Sequence, residues 1–464
     1  MPVLPIPSVN TLVSKTANTI KNLRSRASIS SSELNPLSTS PLNHRSASKN
    51  IDRTTARYKK HTLHYVLKAL GYLPTPFLEK FNSTLHGPNT KQYPHADAHL
   101  RLILAMSNKL KQPLDIEKLP VLRQKFAADM VAMQAPAVWD QSDSTSVRWQ
   151  DKTITNADDG EMTVRCYQHY LQNEADLDIN QQTTNQQTVN QKNTDKTVIL
   201  FIHGGGFCIG DIDTHHEFCH AVCAQTGWSV VSVDYRLAPE HPAPTALRDC
   251  LSAYAWVAEH CHTLGALPSR IVLAGDSAGG CLAISLAQQV SAPDASQWLN
   301  LGLDDDKITQ LLQGLPRPLA QLPLYPVTDI EAEHPSWALY GQGLLLDHND
   351  VEVFDAAYMQ QSAIAQSHPL VSPMYGDNTQ ICPSYIVVAE LDILRDEALV
   401  YAEELQNKGI KVETHTVLGA PHGFIHLMSV HQGLGDETDY IINEFGNFVR
   451  QLLTTDFNQP EPVL

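Results

Sequence analysis

The chain has 464 residues, 42% of them hydrophobic, and a formal net charge of −17. That length allows two or three average domains, or one large α/β domain. The acidic balance argues against nucleic acid or an anionic membrane surface as a partner, and no apolar run reaches the ~18 residues of a membrane helix.

The charge is uneven. Residues 1–60 carry ten Lys/Arg against Glu33 and Asp52, a net of +8, which leaves −25 for the rest. This stretch is rich in Ser, Thr, Asn and Pro and lacks periodicity, so it is expected to be a disordered basic leader. It has no basic residues ahead of its first apolar ones and no long apolar stretch, unlike a secretory signal. Residues 61–145 are expected to be a helical cap over the strand ends: Leu63, Val66, Leu67 and Leu70 fall at i, i+3, i+4 and i+7, and His99–Leu110 and Val121–Met133 continue the pattern.

From about residue 146 the pattern changes to a catalytic-size α/β portion running to 455. Short apolar runs at Thr163–Tyr167, Thr197–Ile202, Ser229–Asp234, Ile271–Gly275, Gln321–Tyr325, Tyr385–Glu390 and Val412–Val417 read as strands. Most are continuously apolar, as strands covered on both faces are. Helical stretches lie between them, at Ala246–His260, Ala278–Val290, Asp396–Lys408 and Thr438–Leu453. Alternation of this kind predicts a mostly parallel sheet with helices on both faces. Residues 171–195, rich in Gln and Asn, and residues 291–320, with Asp304-Asp305-Asp306, read as insertion loops; the acidic triplet lacks the spacing and glycine of a calcium loop.

Eight cysteines, none in CxxC spacing and several within apolar runs, fit reduced core thiols and make a cytoplasmic location the expectation. His260-Cys261-His262 is no metal motif, because neighbouring side chains on a helix diverge.

Two glycine-rich motifs carry the chemistry. Gly275-Asp276-Ser277-Ala278-Gly279 stands between an apolar strand and an Ala/Leu-rich helix. A strand–serine–helix elbow needs small residues on either side, because the turn packs backbone on backbone. A serine nucleophile needs a base, and the base an orienting acid. Downstream, Asp392 follows a strand end; its rival Asp396 opens a helix, where a carboxylate ordinarily caps free amides. Of His415, His422, His426 and His431, His422 stands between Pro421 and Gly423 in a loop at a strand end. His422 and His426 are four apart, but the flanking Pro and Gly argue against a metal pair on a helix there. The second motif, His203-Gly204-Gly205-Gly206, closes a strand. Glycines there let backbone amides line a developing oxyanion; neither phosphate-loop spacing fits.

With these residues the chain resembles the hormone-sensitive-lipase-like family of esterases and lipases (bacterial family IV) of the α/β-hydrolase fold. The carrying stretches are His203–Phe207, Asp234–Asp249 (DYRLAPEHPAPTALRD), Gly275–Gly280, Asp392 with LRDE, and His422-Gly423-Phe424. The resemblance implies an oxyanion hole of Gly205, Gly206 and Ala278, a Ser277–His422–Asp392 triad, and support from His203, Gly204, Asp276 and Glu240. The chain departs from the family in having Ile393 where a proline usually follows the acid. A serine carboxylic-ester hydrolase is therefore expected, with no metal and no cofactor, acting on a small ester or acylglycerol of short to medium acyl chain. The alternatives are a true lipase on long-chain triacylglycerols and a catalytically silent ligand-binding protein on the same fold.

Overall fold

The structure, a computed structural model, describes residues 61–88, 90–142, 145–170, 197–298 and 305–456. The expected leader and the 171–195 insertion lie outside the described residues. The centre is an eight-stranded sheet in the order β1-β2-β4-β3-β5-β6-β7-β8. Its strands are β1 (Val147–Thr155), β2 (Glu161–His169), β3 (Val198–Ile202), β4 (Ser229–Asp234), β5 (Ile271–Asp276), β6 (Ala320–Leu324), β7 (Ser384–Leu391) and β8 (Val412–Pro421). β1, β2 and β4 pair antiparallel, and the ladder from β4 to β8 is parallel.

The apolar strand runs follow from this burial. Every residue of β3 is buried, with Val198, Leu200 and Ile202 facing one core and Ile199 and Phe201 the other. β1 escapes sequence reading because it is an edge strand: Val147 and Ile154 are buried and most of the rest is polar and partly exposed.

The helices, in chain order, are α1 (Thr62–Leu70), α2 (Thr75–Thr84), α3 (Ala98–Leu110), α4 (Leu119–Met133), α5 (His216–Thr226), α6 (Thr245–His260), α7 (Ala278–Ser291), α8 (Asp305–Leu312), α9 (Pro335–Tyr340), α10 (His348–Met359), α11 (Arg395–Asn407) and α12 (Gln432–Asp456). α6, α7 and α11 cover one face of the sheet, and α5 and α12 the other. In α1 the expected stripe is only partly right: Leu67 is buried, whereas Val66 faces out and His64 takes an inward place. Leu67, Leu100, Ile103, Leu104 and Met133 join the core that also holds Phe445 and Phe448. α1 and α3 thus contribute to the core on one sheet face, and α4, through Leu119 and Met133, to both, rather than standing only above the sheet.

The described parts of the 291–320 insertion, residues 291–298 and 305–320, differ from the expected solvated loop. Trp298 is buried, α8 forms, and Ile308 and Leu312 pack into the core. Ile308, Leu311 and Leu312 have the i, i+3, i+4 spacing of an amphipathic turn, a signal overshadowed by the acidic triplet before it.

β3 is followed in the chain by its neighbour on one side, β4, and then by its neighbour on the other, β5. Ligands of open parallel sheets bind beyond the carboxyl ends of strands at such a reversal. His203, Ser277, Asp392 and His422 all come directly after the ends of β3, β5, β7 and β8.

Candidate active site

Ser277 has φ +55° and ψ −124°, a conformation that costs a non-glycine residue free energy. The fold enforces it through the two flanking glycines. A Cβ on Gly275 would stand 2.3 Å from the Gly279 carbonyl oxygen, and one on Gly279 only 2.0 Å from that of Ile202. The Ser277 amide donates to the Leu324 carbonyl at 2.9 Å, and the first turn of α7 closes behind it with Cys281 N–H to the Ser277 carbonyl at 3.1 Å.

His422 Nε2 lies 2.8 Å from Ser277 Oγ, and His422 Nδ1 lies 2.7 Å from Asp392 Oδ2. Asp392 is 1% exposed, and its other oxygen accepts the Leu394 amide at 2.9 Å. The structure therefore brings Ser277, His422 and Asp392 together. Asp396 stays apart, on α11, paired with Arg395. His415 bonds Glu437, and the buried His431 bonds Asp97.

The loop after β3 is held by its neighbours. Gly204 N–H donates to Asp276 Oδ1 at 2.8 Å. His203 is fully buried, stacked on Tyr235 at 4.2 Å, and its carbonyl accepts the Tyr235 hydroxyl at 2.7 Å. Gly205 and Gly206 have φ of +121° and +57°. A Cβ on Gly206 would meet the Phe354 ring at 2.3 Å. Among the described residues, the amides of Gly205, Gly206 and Ala278 donate no hydrogen bond. Burial opposes ionisation of Asp276, but His215, His426 and the Gly204 amide outweigh it and hold the carboxyl at about 2. Burial, with His215 beside it, lowers His203 to about 4, and likewise His426 to about 3.

Glu240 does not touch the serine. It pairs with Arg123 of α4 through two hydrogen bonds, at 2.9 and 2.6 Å, and that contact lowers its carboxyl pKa despite some burial. Arg123 also donates to the carbonyls of Cys208 and Ala238. Sequence reasoning missed Arg123, because a lone arginine on a helix resembles any solvated charge.

The arrangement presents a hydroxyl, a base oriented by a buried acid, and undonated amides at one end of a parallel sheet. A family model described as the alpha/beta hydrolase fold matches residues 199–426. Lipase 2 of Moraxella sp. (strain TA144) is 58% identical over 473 aligned positions, covering 99% of both chains. The carboxylic ester hydrolase LipN of Mycobacterium tuberculosis is 36% identical over 248 positions, covering 53% of this chain and 62% of its own. A solved esterase of Pyrobaculum calidifontis superposes with a TM-score of 0.59 at 24% identity, over 76% of this chain and 99% of its own.

Proposed function

This chain belongs to the α/β-hydrolase family that includes lipases and carboxylic ester hydrolases, and from that premise we propose that it hydrolyses carboxylic esters through Ser277. The observation that carries the reading is the chain of short contacts from Asp392 through His422 to Ser277, 2.7 and 2.8 Å. Ser277 Oγ attacks the ester carbonyl while His422 Nε2 takes its proton. Asp392 holds the imidazole and stabilises its charged form. The free amides of Gly205, Gly206 and Ala278 receive the oxyanion; each such donor is worth about 10²–10³ in rate. His422 then protonates the leaving alcohol, and a water deprotonated by His422 releases the acid and restores Ser277. His203, Gly204 and Asp276 hold the oxyanion loop, and Glu240 acts on it through Arg123. None of these steps calls for a metal or cofactor.

The N-terminal helices form the cap. Arg123, reaching from α4 to Cys208 just beyond the glycines, supports that reading. A cap fixed by such contacts makes a pocket of limited depth, which favours short to medium acyl esters in solution. The name of the Moraxella relative, matched over 99% of both chains, favours the other reading, a lipase on long-chain acylglycerols. Hydrolysis rates for p-nitrophenyl esters from acetate to palmitate, and for a triolein emulsion, separate the two. A maximum at short chains supports the esterase; a maximum at long chains, with a jump beyond the solubility limit, supports the lipase. The eight cysteines are all buried and none is in a disulfide, which fits a reducing compartment, and no helix among the described residues is long and apolar enough to cross a membrane.

A further inference from the structure

Next to the Ser277 elbow, three more chemistry-bearing side chains converge. His215 precedes α5, Asp276 ends β5, and His426 sits on the short turn Phe424–Leu427. One ring nitrogen from each histidine and one oxygen of Asp276 lie within 4.8 Å of one another. His215 is 2% exposed, and its Nδ1 is engaged by the Thr214 hydroxyl at 2.8 Å, which fixes the ring. Its Nε2 points inward and makes an ion-pair contact of 3.0 Å with Asp276 Oδ1. The His426 ring meets His215 edge-on, centroids 4.6 Å apart.

Two imidazoles and a carboxylate are a donor set for zinc and its first-row neighbours. The groups that orient these donors are also present: Thr214 on His215, and the Gly204 amide on Asp276 at 2.8 Å. We infer that His215, Asp276 and His426 form a binding site for one divalent first-row transition cation, separate from the Ser277–His422–Asp392 chain. Metal–ligand bonds of about 2.0–2.2 Å set tetrahedral ligands on the order of 3.3 Å apart, so the cluster contracts on binding. The sequence expectation of no metal came with the serine-hydrolase reading, whereas these ligands arrive from three separate segments: the residue before α5, the end of β5 and the turn Phe424–Leu427.

The test uses the full chain, stripped with a chelator and titrated with Co²⁺ and then Zn²⁺. The proposal expects one equivalent of Co²⁺ held per chain, with visible absorption bands of low-symmetry nitrogen and oxygen coordination that Zn²⁺ abolishes. It expects His215→Gln and His426→Gln each to weaken binding at least 10-fold, while His415→Gln, whose ring pairs with Glu437 instead, leaves it unchanged. X-ray absorption on the Zn²⁺-loaded natural chain, which needs no variant to fold, should report two imidazoles on the cation. Loose or substoichiometric binding, affinity undiminished in His426→Gln, or fewer than two imidazoles would each overturn it.

Discussion

The strand-end loops around Ser277 and the N-terminal helices beside them are held in different ways. At the elbow, backbone meets backbone: Gly275 faces the Gly279 carbonyl, and Gly279 faces those of Ile202 and His203. Beyond the apolar core they join, the helices are tied down by single polar side chains reaching backbone carbonyls or one another. His64 reaches the Met133 carbonyl, Gln134 those of Asp213 and Thr214, and Arg123 those of Cys208 and Ala238. Glu217 on α5 accepts the Ala135 amide and the Ser429 hydroxyl. Backbone contact demands glycine and leaves a motif. Side-chain ties use whichever polar residue reaches, and leave none.

Breaking the strand-end region should therefore cost most. Asp392→Asn, which leaves the His422 ring without its acceptor, is expected to lower kcat by about 10⁴. Asp396→Asn, beside Arg395 and away from His422, should leave kcat within a few-fold. Steady-state kinetics on both variants decides, and a larger loss in Asp396→Asn would reverse the assignment of the acid.

Gly279→Ala comes next. Its new methyl meets backbone oxygens at 2.0 and 2.5 Å that belong to Ile202 and His203, so strand β3 or helix α7 must shift. A loss of about 1–3 kcal/mol or more is expected, read as a lower urea midpoint. Gly433→Ala sharpens the contrast: there a Cβ would meet only the His431 ring, at 3.4 and 3.8 Å, and the midpoint should move by no more than about 0.5 kcal/mol.

Legibility in the sequence followed the same division. The parallel strands stood out because both faces are buried and their residues are apolar. The elbow, the glycine loop and the positions of Ser277, Asp392 and His422 stood out because each occupies a strand end with small or turn-forming neighbours. The edge strand β1 did not, since a half-exposed strand such as Arg148-Trp149-Gln150-Asp151-Lys152 carries little apolar pattern. Helix α5 was hidden by His216, Cys219 and Cys223, buried residues with weak helical preference. Arg123 and His215 were illegible for another reason: their partners, Cys208 and Asp276, are distant in the chain, and contact between distant residues leaves no local spacing.

Smaller effects test the helical side. Arg123→Ala removes the tie from α4 to Cys208, Ala238 and Glu240 together. Loosening the oxyanion loop by a fraction of an ångström should lower kcat about 10- to 100-fold, with KM less affected. An unchanged kcat would mean that the glycine loop holds itself.

Glu217→Gln should act on pH dependence more than on rate. Burial, against the Ala135 amide and Ser429 hydroxyl, raises the Glu217 carboxyl from 4.5 to about 7. The folded chain then binds a proton more tightly than the unfolded one, so this stabilising contribution is complete below about pH 4.5 and is lost as pH rises through about 7. Glutamine removes that slope. Thermal melts from pH 4 to 8 should show the natural chain losing on the order of 1–2 kcal/mol relative to Glu217→Gln across this window, the rest being absorbed by relaxation. Parallel curves would place the burial cost elsewhere.

The most direct measurement is covalent. A fluorophosphonate reacts with an activated serine, and peptide mass spectrometry locates the adduct. The account predicts one adduct per chain, on Ser277, appearing in step with loss of ester hydrolysis, and neither labelling nor turnover in a folded Ser277→Ala chain. Labelling at another residue in step with inactivation, or near-normal ester turnover by Ser277→Ala, would contradict it.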